Sequence, residues 1–337
     1  MPPKYLRRLI SVPTVVVILL VLVATLPIWL PITALIDLVI GQRRMRYSRL
    51  GLVMILLAVN ELTTVGMAFG LWLRSGVGTT VWKPKGQARM QVLMRYYGSG
   101  LVNSTRRVLG VRLVVNGLDE ALAAGGPVLV LGHHTSLLDS AIPVLLLGEK
   151  GYGLRYVIKD TLALAPAFDI GGHFLPVHFV NRSGKRTSSE MDAISDLAGG
   201  LHGNEAFVLF PEGSFYNKRR HERSIERLRT DAPHLVERAE KLRHTLPPRA
   251  GGALALLAGA PEADVVMMAH TGLEWFNSLP NIIHHVPLTA PVHIVFWRVP
   301  RSEVPTDAGG QYDWLFEQFE RVDRIAIGDL DDLDGPT

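Results

Sequence analysis

Val128-Leu-Val-Leu-Gly-His-His-Thr-Ser-Leu-Leu-Asp139 decides how this chain folds and where its chemistry lies. Residues 128–131 form a short apolar run of the kind a buried strand uses, and Gly132 permits a sharp turn after it. His133 and His134 fall on that turn. Thr135 or Ser136 is placed to cap a helix running toward Leu147, with Asp139 in its first turn, facing back to the loop. Asp139 is then positioned to hold the Nδ1 proton of His134 while Nε2 points outward as a base.

Working outward, the same strand-then-helix pattern repeats. Apolar or β-branched runs at 111–115, 154–158, 174–180, 206–210, 264–269 and 292–296 alternate with helical stretches. This predicts an α/β fold, a mixed central sheet flanked by helices. The charged stretch 217–248 reads as one or two surface helices, and 311–324 as a final amphipathic helix before an acidic tail.

The apolar residues are concentrated at the N-terminus. Residues 9–36 contain no charge, and as one straight helix they would span about 42 Å, against a hydrocarbon core of about 30 Å. A second apolar run, 50–73, is interrupted by Asn60 and Glu61, which are expensive in lipid unless they face protein or water. Basic residues flank every junction, so an N-terminal membrane-embedded helical hairpin, bent at Pro27 and Pro31, satisfies the positive-inside rule better than two full crossings. The first 110 residues carry 14 Lys and Arg against two acids, a net of +12; the rest carries −8, leaving +4 overall. That asymmetry fits an anionic membrane surface as partner, and no nucleic-acid module is present. With no cysteine, thiol nucleophiles, disulfides and thiolate metal sites are excluded. Four regions follow: an anchor (1–75), an interfacial amphipathic linker (76–110), a catalytic domain (111–310), and a C-terminal helix with tail (311–337).

Two more constellations end strands. Phe179-Val180-Asn181-Arg182 offers a guanidinium, with Lys185 and Arg186 close behind, suited to a phosphate. Phe210-Pro211-Glu212-Gly213 fixes a carboxylate between Pro and Gly, and Lys218 and Arg219 follow it. In open α/β sheets ligands gather beyond the carboxyl ends of strands, where all of these groups are expected.

Taken in order, His134-x4-Asp139, Phe179 to Arg182 and Phe210 to Gly213 resemble the motifs of the glycerolipid acyltransferases related to 1-acylglycerol-3-phosphate acyltransferase. The resemblance covers about residues 105 to 300. It implies an acyltransferase in which His134 is the general base toward a lysophospholipid hydroxyl and Asp139 orients it. It further implies that Arg182 holds the acceptor phosphate, Glu212 and Gly213 shape the acceptor side, and Lys218 or Arg219 adds charge there. Acyl-CoA, or an acyl carrier protein, would be the donor and a membrane lipid the acceptor. No cofactor and no metal are implied, and the catalytic domain would sit on the cytoplasmic face of the cell membrane.

Some residues depart from the family pattern. His133 stands where the first motif usually has Asn, Ser214-Phe215 where many members have Thr-Arg, Pro176 where the second motif usually has Gly, and Met267 where the fourth usually has Pro. The form of the third motif is closer to the lysophosphatidylglycerol acyltransferase branch. Two other readings of the residues stay open: a metal-dependent hydrolase using His133, His134, Asp139 and Glu212, and a non-catalytic lipid-binding protein.

Overall fold

All seven expected strands form, and they join one sheet. In the computed structural model, which describes residues 3–41, 44–174, 177–180 and 188–330, they are β1 (Leu113–Asn116), β2 (Val128–Gly132), β3 (Gly153–Lys159), β4 (Val177–Val180), β5 (Glu205–Leu209), β6 (Asp264–Thr271) and β7 (Val292–Val299). Their order across the sheet is β1-β7-β6-β2-β5-β3-β4. Every pairing is parallel except β6 with β7, so the sheet is mixed, as expected. The strand expected at 174–180 is shorter, because Gly172–Phe174 is a 3-10 turn. Since β2, β3, β4, β5 and β6 are parallel, the loops after all of them emerge at one edge.

Strand alternation divides the core in two. On one face Val128, Val130, Val208, Met268 and Ile294 pack with helices α4 (Pro84–Leu109), α5 (Leu118–Leu122) and α6 (Ile142–Glu149). On the other Leu129, Leu131, Phe207, Val265 and Met267 meet α8 (Ser188–Gly199), α11 (Ala250–Gly259) and α13 (Ala308–Ala326). The charged stretch forms α9 (Lys218–Asp231) and α10 (Val236–Lys241), as expected.

Three helices precede α4: α1 (Lys4–Ala24), α2 (Leu26–Val39) and α3 (Arg46–Arg74). The apolar segment expected over 9–36 with bends at Pro27 and Pro31 is two helices parted at Thr25, with Pro31 inside the second and Pro27 in its first turn. A proline there cannot continue the preceding helix's hydrogen bonds but starts a new one without loss. Helices α1 and α3 are each long and apolar enough to cross a membrane, and no residue of α1 is buried by protein. The only two acids of the first 110 residues both serve the structure. Asp37, fully buried, accepts from the Tyr47 and Ser48 backbone N–H groups at 3.1 Å each and so caps α3 from α2. Glu61 is taken up below.

Segment 76–110, expected as an interfacial linker, is mostly α4, which lies along α3 and buries Met90, Leu93, Tyr97 and Val102. Asn60 faces protein: its Nδ2 donates to Tyr97 O at 3.0 Å. A short helix after β3, α7 (Pro166–Gly171), completes the layer on this face.

Candidate active site

Strand β2 ends at Gly132, where an ideal Cβ would stand 2.7 Å from the Phe210 ring. A glycine is needed for the ends of β2 and β5 to approach so closely. His133 and His134 therefore leave the sheet beside the Phe210-Pro211-Glu212-Gly213 turn.

Asp139 organises the first turn and is fully buried. Its Oδ1 lies 2.9 Å from His134 Nδ1, while Oδ2 accepts from the backbone N–H groups of Thr135 at 2.6 Å and Ser136 at 2.7 Å. Of the two expected caps, Ser136 makes a long one, its Oγ accepting from the Asp139 backbone N–H at 3.4 Å, and it opens a 3-10 turn rather than a helix. The carboxylate closes the turn from inside, a 3-10 turn covers Asp139–Ala141, and regular helix begins only at Ile142. Burial alone would raise the Asp139 carboxyl. The charge and hydrogen bond of His134, with those of His270, outweigh burial and hold it well below the usual carboxylate range. With Nδ1 engaged by an ionised partner, Nε2 of His134 is the nitrogen left to act as a base. The ring is 14% exposed, stacks on Phe210 at 4.5 Å and meets Phe215 edge-on at 4.6 Å.

Glu212 makes a second turn-holding carboxylate. Oε1 accepts from the His134 backbone N–H at 2.8 Å and lies 2.8 Å from His133 Nδ1; Oε2 accepts from Leu246 N–H at 2.9 Å. The residue is 1% exposed. With both oxygens engaged inside the protein, Glu212 shapes its surroundings through the turn it holds rather than through an atom free for a ligand. Burial would lower the His133 imidazole, but the Glu212 charge and hydrogen bond outweigh it and raise the group, with Asp139 and Asp323 adding to the effect. His133 and Glu212 form a buried hydrogen-bonded pair, an ion pair whenever the ring is protonated. The loop that supplies Leu246 is itself fixed by Asp323, which accepts from the backbone N–H groups of His244 at 2.7 Å and Thr245 at 2.8 Å.

Two residues of the site had no mark in the sequence. His270, at the end of β6, brings its ring to 4.6 Å from that of His133, with Nε2 3.2 Å from His133 O and 3.5 Å from Asp139 Oδ2. Burial keeps it below the usual imidazole value. Knowing that β6 pairs with β2, Gly132 opposite Met268, would have revealed it. Arg249 lies beside Gly213, which has φ +67° and whose ideal Cβ would stand 3.4 Å from the guanidinium Nε. Lys218 and Arg219 are exposed on the first turn of α9, which Asn217 caps by accepting from Arg220 N–H at 2.9 Å. Arg182, together with Lys185 and Arg186, lies outside the described residues. Among those described, no three His, Asp or Glu side chains converge as a metal would need, and Asp139 and Glu212 already spend their oxygens on the turns.

An apolar cavity of about 510 Å³ adjoins this turn. Leu137, Ser140 and Ala141, from the turn that carries His134 and Asp139, line one part of it. Leu154, Tyr156 and Ile158 of β3 form its floor, α4 and α6 two sides, and Leu162, Ala165 and Phe168 an outer wall. The volume falls in the range, about 300–1,000 Å³, that bound small molecules occupy.

Parallel strands thus end in an imidazole held by a buried aspartate beside an apolar cavity, and residues 112–253 match the family model described as Acyltransferase. The match takes in strands β1 to β5 and the turns that carry His134 and Glu212. Over 223 residues the chain is 27% identical to 1-acyl-sn-glycerol-3-phosphate acyltransferase epsilon of Mus musculus, covering 61% of this chain and 59% of that relative. It thus spans about three-fifths of the length of the curated relative it matches. In fold it is similar to the crystal structure of the 1-acyl-sn-glycerophosphate (LPA) acyltransferase PlsC from Thermotoga maritima. That likeness has a TM-score of 0.55 at 14% identity and covers 86% of this chain and 97% of the other.

Proposed function

We propose that this protein is a membrane-bound O-acyltransferase that moves a fatty acyl chain from acyl-CoA to a hydroxyl of a phosphate-bearing lysolipid. One observation carries the reading: within the residues that match the Acyltransferase family model, His134 Nδ1 is 2.9 Å from a buried Asp139 on the turn that borders a 510 Å³ apolar cavity.

The chemistry follows from that geometry. With the acyl chain in the cavity, the thioester carbonyl lies at the turn. His134 Nε2 takes the acceptor hydroxyl proton as the oxygen attacks the carbonyl carbon, and Asp139 stabilises the imidazolium that forms. The tetrahedral oxyanion collapses, the carbon–sulfur bond breaks, and the imidazolium returns its proton to the departing thiolate. General-base action is worth about a hundred- to ten-thousand-fold, so positioning and oxyanion stabilisation supply the rest. The backbone N–H groups of residues 134–136 already bond Glu212 and Asp139, so the oxyanion must find its donors elsewhere. Arg182, Lys218 and Arg219, with Arg249 beside Gly213, are the cations for the acceptor phosphate. The apolar helices α1 and α3 bring the domain to the bilayer that holds the lysolipid acceptor, with the domain on the cytoplasmic face.

The test is purified protein offered a panel of lysolipids with acyl-CoA, products read by mass spectrometry, with His134→Ala and Asp139→Asn as controls. Acyl transfer that disappears in the His134 variant is expected. Failure of the wild type on every acceptor, or turnover that needs a stoichiometric metal and is lost on chelation, sinks the proposal.

A further inference from the structure

We propose that Glu61, carried on the apolar helix α3, sets the acyl-chain preference of the cavity by holding its outer wall; this rests on the acyltransferase reading above. A carboxylate in the middle of an apolar helix is costly unless its acceptor capacity is used. Both oxygens of Glu61 are used, and both on groups attached to the same cavity. Oε1 accepts from the Tyr97 hydroxyl at 2.7 Å, and Oε2 accepts from the backbone N–H of Ala167, in α7, at 2.9 Å. Tyr97 and Phe168 line the cavity, and their rings meet edge-on at 5.2 Å. One side chain therefore fixes a wall residue on α4 and the helix that carries the next.

The other walls are joined to one another without α7: Arg95 Nη1 donates to Gly148 O at 2.8 Å, and Gln91 bonds the Leu154 backbone at 3.2 Å. At Gly98, on α4, an added Cβ would lie 2.5 Å from Val144 on α6, and at Gly148 it would lie 2.8 Å from the Arg95 side chain, so these helices are already in close contact. Helix α7 has only six residues and is held from outside by charged side chains. Besides Glu61, the buried Asp169 takes Arg7 and Arg8 of α1: Arg7 binds Oδ1, and Arg8 Nε lies 3.0 Å from Oδ2. The wall that can yield is thus the one clamped by the two helices apolar enough to enter a membrane. Glu61 is a positioning residue, acting through Tyr97 and α7 on the chain-binding space.

The experiment compares transfer rates from octanoyl, lauroyl, palmitoyl and oleoyl thioesters of CoA to one lysolipid. Full-length wild type is set beside Glu61→Gln, Tyr97→Phe and Phe168→Ala, each checked for an intact melting transition. Glu61→Gln keeps the side-chain shape but replaces one acceptor oxygen by a donor, and Tyr97→Phe removes one donor. Phe168→Ala enlarges the space directly. All three are expected to raise the ratio of oleoyl to lauroyl transfer, Phe168→Ala and Glu61→Gln by about tenfold, the discrimination that one methylene of pocket contact supplies. If Glu61→Gln fails to fold, Tyr97→Phe decides. A shift in Phe168→Ala alone, with the other profiles superimposable on wild type, overturns the role of Glu61 and leaves the acyltransferase reading standing. Rates that fall equally for all chain lengths in every variant overturn it too. A wild type that transfers no chain overturns the acyltransferase reading and this inference with it.

Discussion

Adjacent histidines on one turn meet adjacent fates. His134 and His133 each pair with a buried carboxylate, at 2.9 Å to Asp139 and 2.8 Å to Glu212. The first ring is 14% exposed; the second is 1% exposed and closed in by His270. The difference teaches that exposure decides what the same pair of groups can do: with one nitrogen near the surface it can serve a ligand, and with the ring enclosed it can only fasten the fold. Glu212 fastens the backbone of His134 itself, so the inward pair aims the outward one.

The sharpest break of that comparison is His134→Ala. We expect acyl transfer to fall by about a thousandfold because general-base catalysis is lost, with a smaller loss of melting temperature, because the buried Asp139 loses one partner but keeps the Thr135 and Ser136 backbone N–H groups. Single-turnover rates and a thermal melt check both halves. Glu212→Gln should show the reverse balance. Removing the partner of a buried charge costs about 3–5 kcal/mol, so stability falls first and turnover falls with it. If that variant instead keeps its stability and only raises KM for the acceptor, Glu212 belongs on the acceptor side after all.

His133→Asn, the residue usual in the family, probes the inward pair more gently. The His133 value is raised in the folded protein, so its contribution to stability is fully present below the unfolded imidazole value, near 6.5, and fades as pH rises through the folded one. Asp139 has the opposite sign: its lowered value gives stability that is present above the unfolded carboxyl value, near 3.9, and is lost only in acid. Denaturation followed from neutral to alkaline pH should therefore show a decline in wild type that is smaller in His133→Asn. An unchanged slope would mean that His133 is not charged. Smallest of all, Lys218→Ala with Arg219→Ala removes exposed cations, and KM for a phosphate-bearing acceptor should rise about two- to fivefold, with kcat held, the scale of solvent-screened charge contacts. No change in KM would remove α9 from the acceptor site.

Much of the molecule is local enough to be read from residues alone. The seven strands are periodic apolar runs. The His134–Asp139 contact spans only five positions, so one turn's spacing brings it about, and the apolar length of residues 4–24 and 46–74 belongs to composition. The parting at Thr25 was less legible, because Pro27 marks a bend without saying where the chain restarts. What only the tertiary structure decided was where the other carboxylates spend their oxygens. Glu212 reaches a histidine 79 positions earlier, and His270 reaches His133 because β6 lies beside β2. Glu61, which in sequence only interrupts an apolar helix, meets Ala167, 106 positions away. A buried acceptor must find donors, but which donors depends on strand order and helix packing, and no local pattern encodes those.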